Sequence, residues 1–125
     1  MSLSRDLFLG FVKLHILYHA SRKPVYGLWL IDELACHGYE LSAGTLYPML
    51  HSLEEEGLLA CEKRVVRGKM RKYYRLTKAG SEALDRGREK AVELLDKIRE
   101  KPAARRRDAS KATLKAPMEK GAERP

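Results

Sequence analysis

Apolar side chains recur at helical spacing near the start of the chain, over residues 4–20. These positions are Leu7, Phe8, Phe11, Leu14, Ile16, Leu17 and Tyr18. Their spacing predicts a helix, and their band is wider than one helix face. We therefore expect this helix to pack on two sides, against its own domain and against another surface. Pro24 ends the pattern, because the residue before a proline is disfavoured in the helical conformation.

Two shorter helices are predicted next. The first covers residues 26–37 and stops at Gly38, in the usual C-terminal glycine position. Its expected buried stripe consists of Leu28, Ile31, Leu34 and Ala35. The second covers residues 43–56, and we expect Ser42 to be its N-cap, with the hydroxyl accepting from an amide near Thr45. Its core-facing positions are Leu46, Met49, Leu50 and Leu53.

A hairpin and one long helix complete the pattern. Residues 58–66 and 70–76 have the length and the β-branched or aromatic content of strands, and Gly68 lies at the centre of the turn between them. Thr77 can cap a last helix over residues 78–100, which would extend roughly 35 Å. The heptad-like seam of this helix is Leu84, Ala91, Leu94 and Ile98. The element order predicts an α+β, mostly α fold, the winged helix-turn-helix.

Charge is distributed unevenly along the chain. Its 125 residues carry 25 Lys and Arg against 17 Asp and Glu, a formal net charge of +8. Residues 101–125 are basic, contain three of the five prolines and hold few large apolar side chains, so we predict a disordered basic tail there. The expected organisation is a winged helix-turn-helix domain over residues 1–77, a C-terminal helix over residues 78–100 and this tail.

Composition also excludes several classes of protein. Apolar residues make up 44% of the chain, which is enough for a core. The longest apolar run, residues 7–12, is far shorter than the ~20 residues of a membrane span, and we find no signal-peptide pattern. Cys36 and Cys61 cannot form a disulfide scaffold or a four-cysteine zinc site, so we expect a reduced, cytoplasmic protein.

Several short motifs resemble the PadR family of bacterial transcriptional regulators. They are Val25-Tyr26-Gly27, residues 41–50 with the highly specific string Gly44-Thr45-Leu46-Tyr47-Pro48, residues 53–58, and residues 71–77 with Gly80. The resemblance covers about residues 8–85 and favours the branch with a short C-terminal region. It implies a dimeric DNA-binding repressor, with the first helix and a single long final helix forming the homodimer. Members of the family commonly respond to small aromatic effectors.

The third predicted helix is the candidate recognition helix, because such helices meet base edges with their N-terminal residues. Ala43 and Gly44 are small enough to let backbone amides approach a phosphate, and Ser42 can contact phosphate beside its capping role. The other candidate DNA contacts on the helices are Tyr26, Thr45, Tyr47 and His51. Each has an alternative: packing against the wing for the threonine and the second tyrosine, a core ring for the first tyrosine, and a solvated position for the histidine.

The predicted wing carries the stronger electrostatic signal. Between Glu62 and Arg75 there are seven basic residues and one acidic residue. The candidate DNA contacts there are Lys63, Arg67, Lys69, Arg71 and Lys72. Solubility alone would more often mix the two signs of charge, although a hairpin made soluble by charge is the alternative. Tyr73 and Tyr74 alternate across a strand, so we expect one to face the core and the other solvent.

The first and last helices supply the candidate dimer and effector residues. The dimerisation candidates are Leu7, Phe8, Phe11, Leu84, Ala91, Leu94, Leu95 and Ile98. An aromatic effector would bind between these helices, with Phe8, Phe11 and Leu94 as its candidate contacts. Ordinary dimer packing explains these residues equally well.

Metal-binding and catalytic patterns are weak in this sequence. His15 and His19 are four apart and can share a helix face, but no third ligand accompanies them in a recognised pattern. We therefore expect no metal, no cofactor and no enzymatic activity. The predicted function is a sequence-specific DNA-binding regulator, a homodimeric repressor on a two-fold site with half-sites about 34–36 Å apart or a multiple of that distance. The alternatives are a winged-helix protein-interaction module and a non-specific nucleic-acid binder that uses its basic tail.

Overall fold

The chain forms four helices and one antiparallel hairpin over residues 2–100, which are the residues that this computed structural model describes. The elements in chain order are α1 (Leu3–Arg22), α2 (Gly27–Cys36), α3 (Ala43–Glu55), β1 (Leu59–Val66), β2 (Lys69–Leu76) and α4 (Lys78–Arg99). The predicted α+β, mostly α winged helix-turn-helix is confirmed, and each element ends within about two residues of its predicted boundary. The predicted basic tail, residues 101–125, lies outside the described residues.

Capping residues and glycines set the ends of the helices. The Ser2 hydroxyl accepts a hydrogen bond from the Arg5 amide at 3.1 Å and so caps α1. Gly38 follows α2 with φ at +88°, and Gly57 follows α3 with φ at +81°. This left-handed conformation is nearly free of strain for glycine alone, which explains why both helices end where they do.

The core lies where α1, α2 and α3 meet the base of the hairpin. Its fully buried side chains include Val12, Ile16, Leu30, Leu34, Leu46, Leu50, Leu59 and Tyr74. The predicted stripe of α2 was wrong in part, because Leu28 is 62% exposed and Ala35 is exposed. The inward face is instead Gly27, Leu30 and Leu34. Four successive apolar residues at 28–31 leave the phase of a short helix undetermined by sequence.

Thr77 joins the base of the wing to α4. Its hydroxyl accepts from the Gly80 amide at 2.9 Å, as expected of a cap, and donates to the Gly57 carbonyl at 2.6 Å. A Cβ at Gly80 would meet the Leu58 carbonyl and approach Leu76 Cδ1 to 2.7 Å. The glycine is therefore required for α4 to start this close to the hairpin.

The chain divides into two compact units inside α4, after Gly87. Leu84 is buried in the first unit, so the opening turns of α4 pack with the winged helix. In the second unit, none of residues 88–100 is buried. Within residues 2–100, no helix has the length and apolar character needed to span a bilayer.

Candidate nucleic-acid interface

The start of α3 is open to solvent. Ser42 occupies the N-cap position with extended backbone, as predicted, but its hydroxyl does not accept from an amide. The Ser42 hydroxyl donates instead to Thr45 Oγ1 at 3.4 Å, and this corrects the capping prediction. The Thr45 amide, which we expected to donate to the Ser42 hydroxyl, donates instead to the Ser42 carbonyl at 3.1 Å. No side chain therefore caps the first amides of α3, and unsatisfied amides at a helix start attract anions.

Gly44 has no packing role within the described part of the chain. A Cβ there would meet only the Ser42 hydroxyl oxygen, at the ordinary contact distance of 3.7 Å. Its φ is not in the left-handed region. Alanine would fit and is the better helix former, so neither sterics nor backbone conformation in the free protein requires glycine here. Ala43 and His51 are likewise exposed.

Tyr47 packs on the start of α2. The end of its ring lies over Gly27, where an added Cβ would come within 2.6 Å of Tyr47 Cε1. The side chain is half-buried, as is Thr45. The motifs that contain Gly27 and Tyr47 thus contact each other in the fold, because the absence of a Cβ at Gly27 makes room for the Tyr47 ring.

The wing turns through two residues with positive φ, Arg67 at +53° and Gly68 at +79°. Positive φ at both central positions is the preference of a two-residue hairpin loop. Val66 pairs with Lys69, so Lys69 belongs to β2 and not to the predicted three-residue turn. Arg67 and Lys69 are both exposed beside the tip.

Strand register places like charges opposite each other along the wing. Lys63 pairs with Lys72, and Arg64 pairs with Arg71. Like charges directly opposite across strands destabilise a hairpin. Arg64 is compensated by Glu62, with its Nε at 3.1 Å from the carboxylate. Lys63 and Lys72 have no ion-pair partner among residues 2–100, so the repulsion between them is uncompensated within that part of the chain.

One face of the wing presents aromatic rings covered by guanidinium groups. Tyr26 and Tyr73 meet edge to face, with ring centroids 5.3 Å apart. The Arg71 guanidinium carbon lies 4.1 Å from the Tyr26 centroid, and that of Arg64 lies 4.5 Å from the Tyr73 centroid. A hydrogen bond from Arg71 to the Tyr73 hydroxyl is the main cause that raises the pKa of Arg71. These contacts orient two cations that would otherwise sample many rotamers.

The two adjacent tyrosines of β2 behave as alternation predicts. Tyr74 is fully buried, and burial raises its pKa to about 12. Tyr73 is half-buried on the opposite face of the hairpin. Tyr26 is also half-buried, so its ring covers the wing and is not a core residue.

A groove of about 370 Å³ opens between the start of α2 and this face of the wing. Its lining residues are Lys23, Pro24, Val25, Tyr26, Trp29, Arg64 and Tyr73. Lys23 Nζ lies 5.8 Å from the centroid of Trp29. The groove thus combines cations with aromatic rings beside the predicted DNA-contacting surfaces.

The candidate dimer and effector residues have different environments. Leu7 and Phe11 of α1 are 51% and 48% exposed, and Leu94, Leu95 and Ile98 of α4 are 49–69% exposed. Ala91 is exposed as well. Phe8 is half-buried and packs edge to face on Tyr39, with centroids 5.2 Å apart. Leu84 is already covered by the chain's own core.

Sequence spacing missed a group of polar side chains between α1 and the end of α2. The fold brings Glu33 and His37 to His19, with one ligand atom from each within 4.8 Å of the other two. The sequence pattern paired His19 only with His15, and it did not point to Glu33 and His37 as neighbours of His19. The signal was present in sequence only as Glu33 and His37 at i, i+4 on a helix.

The chain is similar to a known protein family and to a named transcriptional regulator. Residues 16–86 match the model of the transcriptional regulator PadR-like family. Transcriptional regulator Rv3488 of Mycobacterium tuberculosis is 52% identical over 94 residues, which cover 75% of this chain and 88% of that protein.

Solved structures give the same result for the fold. A PadR family transcriptional regulator from Eggerthella lenta aligns with a TM-score of 0.68 and 36% identity, over 77% of this chain and 85% of that one. A PadR-like transcriptional regulator from Bacillus cereus aligns with a TM-score of 0.66 and 27% identity, over 77% of this chain and 99% of that one. The family match and the winged-helix architecture therefore agree.

Proposed function

Because this chain belongs to the PadR-like family of transcriptional regulators, we propose that it represses transcription by binding a two-fold DNA site as a homodimer. Membership in the family implies DNA binding, and transcriptional regulators are not enzymes. The operator, the dimer and the direction of regulation are the parts that we propose.

The observation that carries the DNA interface is the pairing of like charges along the wing. Lys63 opposite Lys72 destabilises the free hairpin, and a row of phosphates would turn that repulsion into attraction. Arg67 and Lys69 extend the same charge to the tip. We propose that these residues, with Arg71 held over Tyr26, grip the DNA backbone.

The open start of α3 supports its role as the recognition helix. Its uncapped amides favour a phosphate, and Gly44 leaves room for close approach of DNA. His51 is exposed on the same helix and would contact a base edge or a phosphate. Tyr47 would act mainly by holding α2 against α3, with its ring edge as the remaining DNA-facing part.

Exposed apolar residues on two helices support the homodimer. Leu7 and Phe11 follow one another at i, i+4 on α1, and Leu94 and Ile98 do so on α4. A stretch such as residues 88–100, which buries nothing in its own chain, needs a partner to cover its apolar side chains. We propose that a second copy of the chain covers them. An aromatic effector contacting Phe8, Phe11 and Leu94 stays a prediction.

Fluorescence anisotropy with labelled duplexes tests the proposal. The probes are the duplex upstream of the protein's own gene and a scrambled duplex, each at two salt concentrations. The variant Arg67→Ala/Lys69→Ala removes two wing charges, and Arg5→Ala/Lys13→Ala removes two exposed charges from α1 as the matched control.

Sequence-dependent binding that the wing variant weakens and the control keeps would support the proposal. Equal binding to both duplexes, or equal weakening by both variants, would refute site-specific binding through the wing. A reporter gene placed behind the bound duplex then separates repression from activation.

A further inference from the structure

We propose that His19, Glu33 and His37 form a binding site for a divalent transition-metal ion of the zinc type, with His15 as a potential additional ligand. The site lies between α1 and the end of α2. It goes beyond the proposed function, and its test requires no DNA.

The geometry of the three side chains is close to that of a zinc site. Their ligand atoms lie within 4.8 Å of one another, and His37 Nε2 is 3.4 Å from the nearer Glu33 carboxylate oxygen. Around a tetrahedral zinc ion with bonds of 2.0–2.1 Å, neighbouring ligand atoms are ~3.3 Å apart. The His37–Glu33 pair already has this separation, so only a small inward movement of His19 would complete the set.

Two imidazoles and one carboxylate are a ligand set that zinc uses in proteins. His15 adds a third imidazole nearby, with its ring centroid 5.2 Å from that of His37 and 6.2 Å from that of His19. Imidazole nitrogen selects zinc, copper, nickel or iron over magnesium and calcium, which prefer oxygen ligands. The donor set therefore predicts the class of metal.

A second and independent observation is the unsatisfied nitrogen of His19. This residue is only 9% exposed, and its Nε2 is buried without a hydrogen-bond partner among the described residues. Buried polar atoms are nearly always paired, so an orphan nitrogen on a residue of this cluster indicates a missing partner. A bound cation would provide it. The His19 ring also packs edge to face on Trp29, with ring centroids 5.4 Å apart.

The site is also accessible. The side chains of His37 and Glu33 are 47% and 32% exposed, so an ion can enter from solvent while His19 forms the inner wall. This exposure also makes the two outer residues suitable for substitution, because removing either one disturbs no core packing.

Isothermal titration of the full chain with Zn²⁺ tests the proposal, with Co²⁺ as a spectroscopic probe and Mg²⁺ as the negative control. The protein carries no histidine tag and is first freed of metal with a chelator. The variants are Glu33→Gln and His37→Gln, and His51→Ala is the matched control because His51 is the only histidine outside the cluster. We expect one Zn²⁺ per chain, visible Co²⁺ bands typical of four or five ligands, and no Mg²⁺ binding.

Each cluster variant should weaken Zn²⁺ binding by more than about tenfold, while His51→Ala keeps the wild-type affinity. Thermal unfolding should shift upward with Zn²⁺ in the wild type and in the control only. The proposal is overturned if the wild type does not bind Zn²⁺ at micromolar concentration, if Mg²⁺ binds equally well, or if the cluster variants bind as the wild type does. None of these outcomes bears on DNA binding, so the two proposals can fail separately.

Discussion

The substitution Gly44→Ala should increase the stability of the protein and weaken its binding to DNA. Gly44 lies in the first turn of α3, and an added Cβ meets only the Ser42 hydroxyl, at 3.7 Å. Glycine costs a helix interior up to about 1 kcal/mol relative to alanine, and somewhat less near the helix end. We therefore expect a gain of about 0.5–1 kcal/mol, or an increase in melting temperature of roughly 2–8 °C for a domain of this size.

The same methyl group should obstruct DNA. If the backbone of DNA approaches the start of α3, the methyl group adds steric conflict of about 1 kcal/mol at each of two half-sites. The sum of about 2 kcal/mol corresponds to a loss of roughly 30-fold in affinity for the operator. Gly10→Ala is the matched control, because Gly10 is an exposed glycine of α1 with no atom within 4 Å of the added Cβ.

Thermal unfolding and fluorescence anisotropy with the cognate duplex measure both effects, and sedimentation confirms that each variant has the wild-type oligomeric state. Gly10→Ala should gain stability without losing affinity. Wild-type affinity in a stabilised Gly44→Ala protein would refute the reasoning, since it would show that DNA does not approach this turn. A destabilised Gly44→Ala protein would show that the space around the residue is smaller than the structure indicates.

Four further outcomes are expected. In Arg67→Ala/Lys69→Ala, the slope of log affinity against log salt should be smaller in magnitude by about 3.6, because two phosphate contacts are lost at each of the two half-sites, whereas Arg5→Ala/Lys13→Ala should keep the slope. Ile98→Glu should shift the sedimenting species from dimer to monomer, because it places a charge at an apolar position that is 69% exposed in the single chain and that we propose a second copy covers. Glu93→Gln should leave the dimer intact. Gly27→Ala should displace the Tyr47 ring and weaken DNA binding, seen as increased tyrosine accessibility together with reduced anisotropy. Stability to urea should fall as pH decreases below 6.5. Folding lowers the pKa values of His15 and His19, so in this pH range the unfolded state binds more protons than the folded state. An unchanged midpoint of the urea transition between pH 7.5 and pH 5.5 would contradict this.

Local patterns were sufficient to predict the elements of the fold. Helical spacing in α1, the glycines after α2 and α3, and the cap at Thr77 are all signals within a few residues of one another. The buried face of α2 was harder to predict from sequence. The continuous apolar run at residues 28–31 is compatible with several buried faces, and tertiary packing selects one of them. The Ser42 cap failed for a similar reason: the neighbouring Thr45 hydroxyl competes for the serine side chain.

Features that depend on pairing between distant segments could not be obtained from spacing. The opposition of Lys63 to Lys72 follows from a register fixed by a two-residue turn, and a turn of three residues would have shifted the pairs. The histidine cluster depends on the packing of α1 against α2, which brings His19 to residues 14 and 18 positions later. The free chain bears a cost at both groups, because like charges face each other on the wing and a nitrogen of His19 is buried without a hydrogen-bond partner among the described residues. A phosphate at the wing and a metal ion at the histidines would each remove the cost at its own site, so the same energetic reasoning leads to two separate sites on one small fold.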